Sequence, residues 1–364
     1  MIRDLKTAAW PAVHQRYKEY WNHTGTMPLL RIHGLSVHKV DDEPAAPQPE
    51  PQPYEAPELI DRAAFRAQTE DSYDRHGMMA DDFIRGISPQ LHTEVLVECP
   101  VLQGVSNWAE PCVTAWNQLD DYVVEQTIWY QRLIENTRRS LEAIDPETYP
   151  FNCLGIRGPV DMARGMLGAE VLCAAVYDHP QELKDLLERI TDIIIATEQA
   201  HSRMLPLYEG GQFNHEGVWG PGLNAAFSVD AAWIFSPATY EEFFLPCDAR
   251  FCDAFDSTVL HLHSASQHLF HLWAQVPKLA LQCSVDELRL STGERKPLGL
   301  PFDKLFPRFQ VICQHTTLMI DGYWEQELID RTIAELPAGR FSIRGGVPDV
   351  QALRDRYVPA AQHA

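Results

Sequence analysis

From about Asn152 onward the chain alternates short apolar runs with amphipathic helical segments, and this alternation most limits what it can fold into. Repeated strand-helix units of that kind build a parallel sheet covered by helices. The clearest helix is Pro180 to Met204. Its Leu183, Leu186, Leu187, Ile190, Ile194 and Thr197 fall on one face, while Glu182, Lys184, Asp185 and Glu188 lie elsewhere. Ser236-Pro237 marks the next start, a serine cap with proline at the first helical position, leading into Tyr240, Phe243 and Phe244, and Pro246 should kink or end that helix. Then come the run Thr258 to Leu262, the helix Ser266 to Gln275, the runs Lys278 to Ser284 and Phe309 to Cys313, the helix Gly322 to Leu336 and the run Arg340 to Arg344. No Gly-rich dinucleotide fingerprint follows an early strand, so the pattern favours one (β/α)8 barrel over residues 1–364 rather than an open sheet.

Ahead of this region the sequence predicts a helical and extended extension: a helix from about Ala8 to Trp21 and a strand from Met27 to Ile32. Residues Asp41 to Pro57 hold six prolines, which exclude a helix or a central strand and predict an exposed, polyproline-like loop.

Fifty-one acidic against thirty basic residues give a formal charge of -21, which argues against a general nucleic-acid or anionic-membrane surface. No stretch approaches the roughly 20 apolar residues of a membrane span, and the N-terminus lacks a secretory pattern, so a cytoplasmic location is expected. The eight cysteines are scattered without a C-x-x-C pair, which predicts reduced, mostly buried thiols.

Chemistry is expected first at His261-Leu262-His263, which ends a β-branched run. Residues i and i+2 of a strand share a face, so the two imidazoles can point together as metal ligands or as an acid/base pair. Asp286 is placed just past the run containing Cys283, and Asp230 can join it in orienting the histidines through their other ring nitrogens. His315 follows the run Phe309 to Cys313 and is expected at another strand's C-terminal end. Trp219, in the glycine-rich stretch His215 to Gly222, suits a loop lining a cavity. Arg31, Arg157 and Arg344 are the arginines expected near strand ends. Trp219, Arg157, His315 and Arg344 are thus the candidate substrate-binding groups.

Several segments carry a resemblance: Gly158-Pro159-Val160-Asp161-Met162-Ala163 with Gly168, Asp178-His179-Pro180-Gln181-Glu182-Leu183, and Asp230 with Phe235 to Phe243 and Pro246. In this order they resemble the uroporphyrinogen decarboxylase superfamily, well over roughly Asn152 to Tyr357 and loosely over Gly25 to Gln126. That family includes the decarboxylase and the methylcobamide:coenzyme M methyltransferases, and the resemblance implies a single (β/α)8 barrel. The methyltransferase branch carries His-x-Cys-Gly at the end of a late strand, where zinc activates a thiol acceptor. The matching segment is His261-Leu262-His263-Ser264, with histidine in place of the cysteine. The branch's third ligand, a cysteine in a late Gly-rich turn, has no counterpart in Arg344-Gly345-Gly346-Val347-Pro348, which leaves Cys283, Glu287, His315 or a water to complete the shell. The arginine-rich opening of true uroporphyrinogen decarboxylases is not matched either. That region reads Met27-Pro28-Leu29-Leu30-Arg31-Ile32-His33-Gly34.

The function expected is therefore methyl transfer from a methylated corrinoid on a partner protein to a thiol or similar small-molecule acceptor. Zinc would be held by His261, His263 and Cys283, with Asp230 and Asp286 in support. Two alternatives stand: a metal-free decarboxylase using His261 or His263 as proton donor, and a non-catalytic barrel that binds a small molecule or protein.

Overall fold

The computed structural model describes residues 5, 10–34, 50–76, 79–84, 86–88, 91–104, 107–289, 295–297 and 299–357. Its centre is a seven-stranded parallel sheet: β1 (Leu29–Gly34), β2 (Gly155–Arg157), β3 (Asn224–Ser228), β4 (Ser257–His263), β5 (Leu279–Ser284), β6 (Leu318–Tyr323) and β7 (Phe341–Val347). The spatial order is β1-β7-β6-β5-β4-β3-β2. Apart from the step between β1 and β7, neighbours in space are neighbours in sequence, each joined by a helical crossover. Such an order is consistent with a TIM-like α/β fold. The edge strands β1 and β2 share no ladder among the described residues. Asp82 N donates to Leu30 O of β1 at 2.9 Å, and Asn152 N, three residues ahead of β2, donates to Ile87 O at 2.8 Å.

The strands are buried on both faces, as helix-covered parallel sheets are. Register then separates two environments. Leu260, Leu281 and Leu318 lie in one row, and Leu262, Cys283 and Ile320 in the next; both rows pack under the helices in the main apolar core. On the opposite face the rows begin with small residues, Ala226, Val259 and Ala280, and become polar toward the strands' C-terminal ends.

The helices follow the amphipathic pattern. Pro180–Ser202 buries Leu183, Leu186, Leu187, Ile190 and Ile194 as expected. Ser236 caps Pro237–Phe243 by accepting from Thr239 N, and Pro246 does not simply end the helix: it sits in the first turn of a second one, Leu245–Asp253. No helix among the described residues is long and apolar enough to cross a membrane.

Several expectations are corrected. The run Phe309 to Cys313 is not a strand but part of the helix Phe302–His315. A short apolar run is ambiguous by itself, and Phe302, Leu305, Phe306, Phe309 and Ile312 form a buried helical stripe that settles it. The helix expected from Gly322 begins at Gln326, because β6 carries on to Tyr323. The helix expected from Ser266 begins at Ser264 as a 3-10 turn, with an α-helical turn only over Phe270–Trp273. Cys99 and Cys112 are joined as a disulfide, so the thiols are not all free. Within the proline-rich stretch, Gln52–Pro53 pairs antiparallel with Leu102 and Gln103 as an exposed edge strand, a position that tolerates proline. Residues 41–49 lie outside those described.

Candidate metal centre

Two rows of the sheet's polar face build the site. Arg157, Ser228, His261 and Gln282 stand in register across β2, β3, β4 and β5. Two residues further along, His263, Ser284, Asp321, Arg344 and Arg31 form the next row across β4, β5, β6, β7 and β1. Side-chain alternation alone therefore sends His261 and His263 to the same place.

Their rings meet edge to face, with Nε2 of one 3.3 Å from Nε2 of the other. Asp230, at the start of a 3-10 turn after β3, brings Oδ1 to 3.6 Å from each of these nitrogens. The outer nitrogens are held as well. His263 Nδ1 lies 2.7 Å from Asp286 Oδ1, and His261 Nδ1 is hydrogen-bonded to the Gln282 side-chain oxygen. The Gln282 amide nitrogen donates to Ser284 Oγ at 3.2 Å, with the amide oxygen on the His261 side. Asp286 and Gln282 thus both accept from Nδ1-H. Each histidine is left with its lone pair on Nε2, facing its partner's lone pair and a carboxylate.

Asp161 sets the Asp230 turn. Its carboxylate, fully buried in the first turn of the helix Pro159–Leu167, accepts from Ser228 Oγ at 2.8 Å, Asp230 N at 3.0 Å and Ala231 N at 2.7 Å. Burial, with Asp230 nearby, raises its pKa against the pull of Arg157. The hydrogen bond that His263 donates to Asp286 raises the histidine above its ordinary 6.5 despite burial, and the other acids nearby add to the rise. Burial pushes Asp286 upward, but the His263 partner outweighs it and leaves that carboxyl low.

Beside His261 opens a cavity of about 270 Å³ lined by Arg157, His215, Glu216, Ser228 and His261 among others. Glu216 reaches it from the hairpin Gly211–Phe213/Trp219–Pro221, whose turn needs Gly217 at φ +78°; a Cβ there would lie 2.4 Å from Ile84 O. Glu216 and Asp321 both pair with Arg344, Asp321 at 2.7 Å. Burial opposes the Glu216 charge, yet Arg344 and His261 hold its pKa down to about 2. Arg157 Nε lies 3.2 Å from Glu94 Oε1.

The expected site residues are thus partly brought together. His261, His263, Asp230 and Asp286 converge, with Asp230 on the Nε2 side rather than behind a ring. Arg157 and Arg344 stand on the same polar face. Cys283 does not join them: alternation along β5 turns it into the core beneath the helices. Trp219 is core too, its indole donating to Tyr208 O at 2.7 Å and its ring against His14 of the helix Trp10–Trp21. His315 ends a covering helix instead of a strand and is exposed. The Glu287 side chain lies outside the described residues. Sequence reasoning missed Gln282, Glu216 and Asp161 as site groups, although a glutamine inside the apolar run Leu279 to Cys283 is a signal in itself.

No family model matches the chain, and no curated protein matches it. Among solved structures, the chain is similar to a methyltransferase from Methanosarcina mazei, with a TM-score of 0.54 and 13% sequence identity over 83% of this chain and 85% of that one. At that identity the likeness is one of fold: this chain shares the α/β architecture on which that methyltransferase is built.

Proposed function

We propose that this chain is a metal-dependent methyltransferase of the uroporphyrinogen decarboxylase-like kind, built on a closed eight-stranded barrel. In this reading it passes a methyl group from a corrinoid on a partner protein to a thiol or similar acceptor. The observation that carries the proposal is the Nε2–Nε2 approach of 3.3 Å with Asp230 equidistant from both nitrogens. Two lone pairs and an anion facing one another repel unless a cation lies between them. Two nitrogens on one tetrahedral zinc, at about 2.0–2.1 Å each, would stand about 3.3 Å apart, and a carboxylate oxygen would stand about 3.4 Å from each. The donor set therefore fits zinc with three protein ligands and an open position.

A divalent ion held there would supply Lewis acidity, drawing a thiol acceptor into its anionic form near neutral pH. The chain's own residues do the rest. Gln282 and Asp286 fix the ring tautomers, Asp230 offsets part of the ion's charge, and Asp161 anchors the Asp230 backbone. The cavity beside His261 receives the acceptor against Arg157, Ser228 and Glu216. That the fold neighbour is named a methyltransferase supports transfer chemistry over other uses of the site.

The test is elemental analysis of protein purified without chelators. One zinc per wild-type chain, lost in both His261→Ala and His263→Ala, is expected; no ion in the wild type would overturn the metal reading. A second reading has one observation in its favour. The raised His263 can place a proton between the two Nε2 atoms and act as general acid after loss of carbon dioxide. A polycarboxylate substrate suits that reading poorly, because Arg157 and Arg344 already face Glu94, Glu216 and Asp321.

A further inference from the structure

A groove of about 810 Å³ lies away from this site, between the helical segment after β4 and the helix Phe302–His315. One wall is a single helix stripe: Lys304, Pro307, Arg308, Val311, Ile312 and His315, spaced by three and one in turn. The other wall repeats that spacing with Gln267, Phe270, His271, Ala274 and Gln275. One stripe lies on a helix and the other on 3-10 and short α-helical turns, and the two, side by side and unpartnered, form a trough of the kind an amphipathic helix fills. From Lys304 to His315 the wall runs about 16 Å, or three helical turns. Its floor is apolar, with Phe270 and Ile312 buried and Val311 left 48% exposed.

Charge narrows the occupant. The chain carries fifty-one acidic residues, yet none lines this groove, whereas Lys304 and Arg308 both do. Arg308 reaches one wall's backbone at Gln267 O, 3.3 Å away, and Lys304 forms no ion pair among the described residues. Asp303 beside it is turned away to Arg331. An isolated basic rim on a chain of formal charge -21 favours an anionic partner locally, within a Debye length of about 8 Å.

We propose that this groove seats an acidic amphipathic helix of about three turns carried by a partner protein. None of the groove residues belongs to the site described above, so the inference stands apart from the metal reading. It also gives His315 a place on a docking surface rather than in a substrate cavity.

The probe is a synthetic peptide of about three turns, with leucines at i, i+3, i+4 and i+7 and glutamates elsewhere, followed by fluorescence anisotropy on the full chain. A control peptide carries lysine in place of every glutamate. The acidic peptide should bind saturably and at least about tenfold more tightly than the basic one. Val311→Glu and Lys304→Glu should each weaken it by about tenfold or more while the thermal midpoint holds. Equal affinity for the two peptides, no binding, or binding untouched by Val311→Glu would overturn the proposal. So would a dimer in sedimentation that Val311→Glu dissociates, since the occupant would then be a second copy of this chain.

Discussion

Asp286 Oδ1 lies 2.7 Å from His263 Nδ1, on the far side of the ring from the nitrogen that faces His261. This contact makes the site pH-dependent in a direction that can be worked out. The hydrogen bond raises His263 above 6.5. In metal-free protein its stabilising contribution is therefore fully present below pH 6.5 and fades as pH rises through the raised value. The Asp286 carboxyl is lowered, so its contribution holds above its ordinary value and is lost only in acid.

An ion and a proton compete for His263 Nε2. Zinc affinity should rise about tenfold per pH unit below the raised value of His263 and level off above it. Asp286→Asn removes the largest cause of the rise and should move the break toward lower pH, as well as weakening zinc by about 10–100-fold. Competition with a chelating dye across neutral pH measures both effects. An affinity flat with pH in the wild type would refute the ligand assignment.

Gln282 gives a second test, because it acts on His261 only through Nδ1. Gln282→Leu keeps the volume and removes the acceptor, so His261 loses its fixed tautomer and zinc affinity should fall about 10–100-fold. Gln282→Glu restores an acceptor and should recover most of that loss. If both variants bound zinc like the wild type, the tautomer argument would be wrong. If both lost it equally, the amide nitrogen's bond to Ser284, rather than the acceptor, would be what the site needs.

Arg344 is a matter of stability more than of binding. Its guanidinium lies between Glu216 and Asp321, and its side chain and that of Glu216 are each only 13% exposed. Arg344→Met leaves Glu216 buried without its partner and should cost about 3–5 kcal/mol, read from urea denaturation at neutral pH. Lowering the pH should shrink the difference, since protonated Glu216 no longer needs the cation. A cost below about 1 kcal/mol would place this pair among weak surface bridges.

The sequence showed some of this plainly and hid the rest for physical reasons. Period-two alternation requires His261 and His263 to share a face, and that needs nothing beyond β4 itself. The helix Pro180–Ser202 was equally legible, since one stripe of leucines and isoleucines has only one periodicity. Phe309 to Cys313 was not: five residues are too few to separate strand from helix, and the deciding stripe began at Phe302. Cys283 could be read either as a small core residue or as a metal ligand, and only register, which belongs to the neighbouring strands, decides between them. Glu216 was invisible for the same reason, and Gln282 left only its polarity inside an apolar run as a signal. Each acts on a residue twenty or more positions away, across a ladder or from a separate hairpin.

That distinction yields the sharpest discrimination of the ligand set. Asp230 Oδ1 faces both Nε2 atoms, whereas Cys283 sits on the opposite face of β5 with its thiol pushed up well above the ordinary value by burial. A thiol so placed stays protonated at neutral pH and binds no metal. Cys283→Ala should keep its zinc and lose only about 1 kcal/mol of stability for the small space left behind. Asp230→Ala should lose zinc to the level of the histidine variants while folding normally, because Asp230 is half exposed and Asp161 still holds the turn through Ala231 N. Zinc retained in Asp230→Ala but lost in Cys283→Ala would reverse the assignment and require β5 to run in the other register. Metal content and thermal midpoint measured on the same preparations decide between the two.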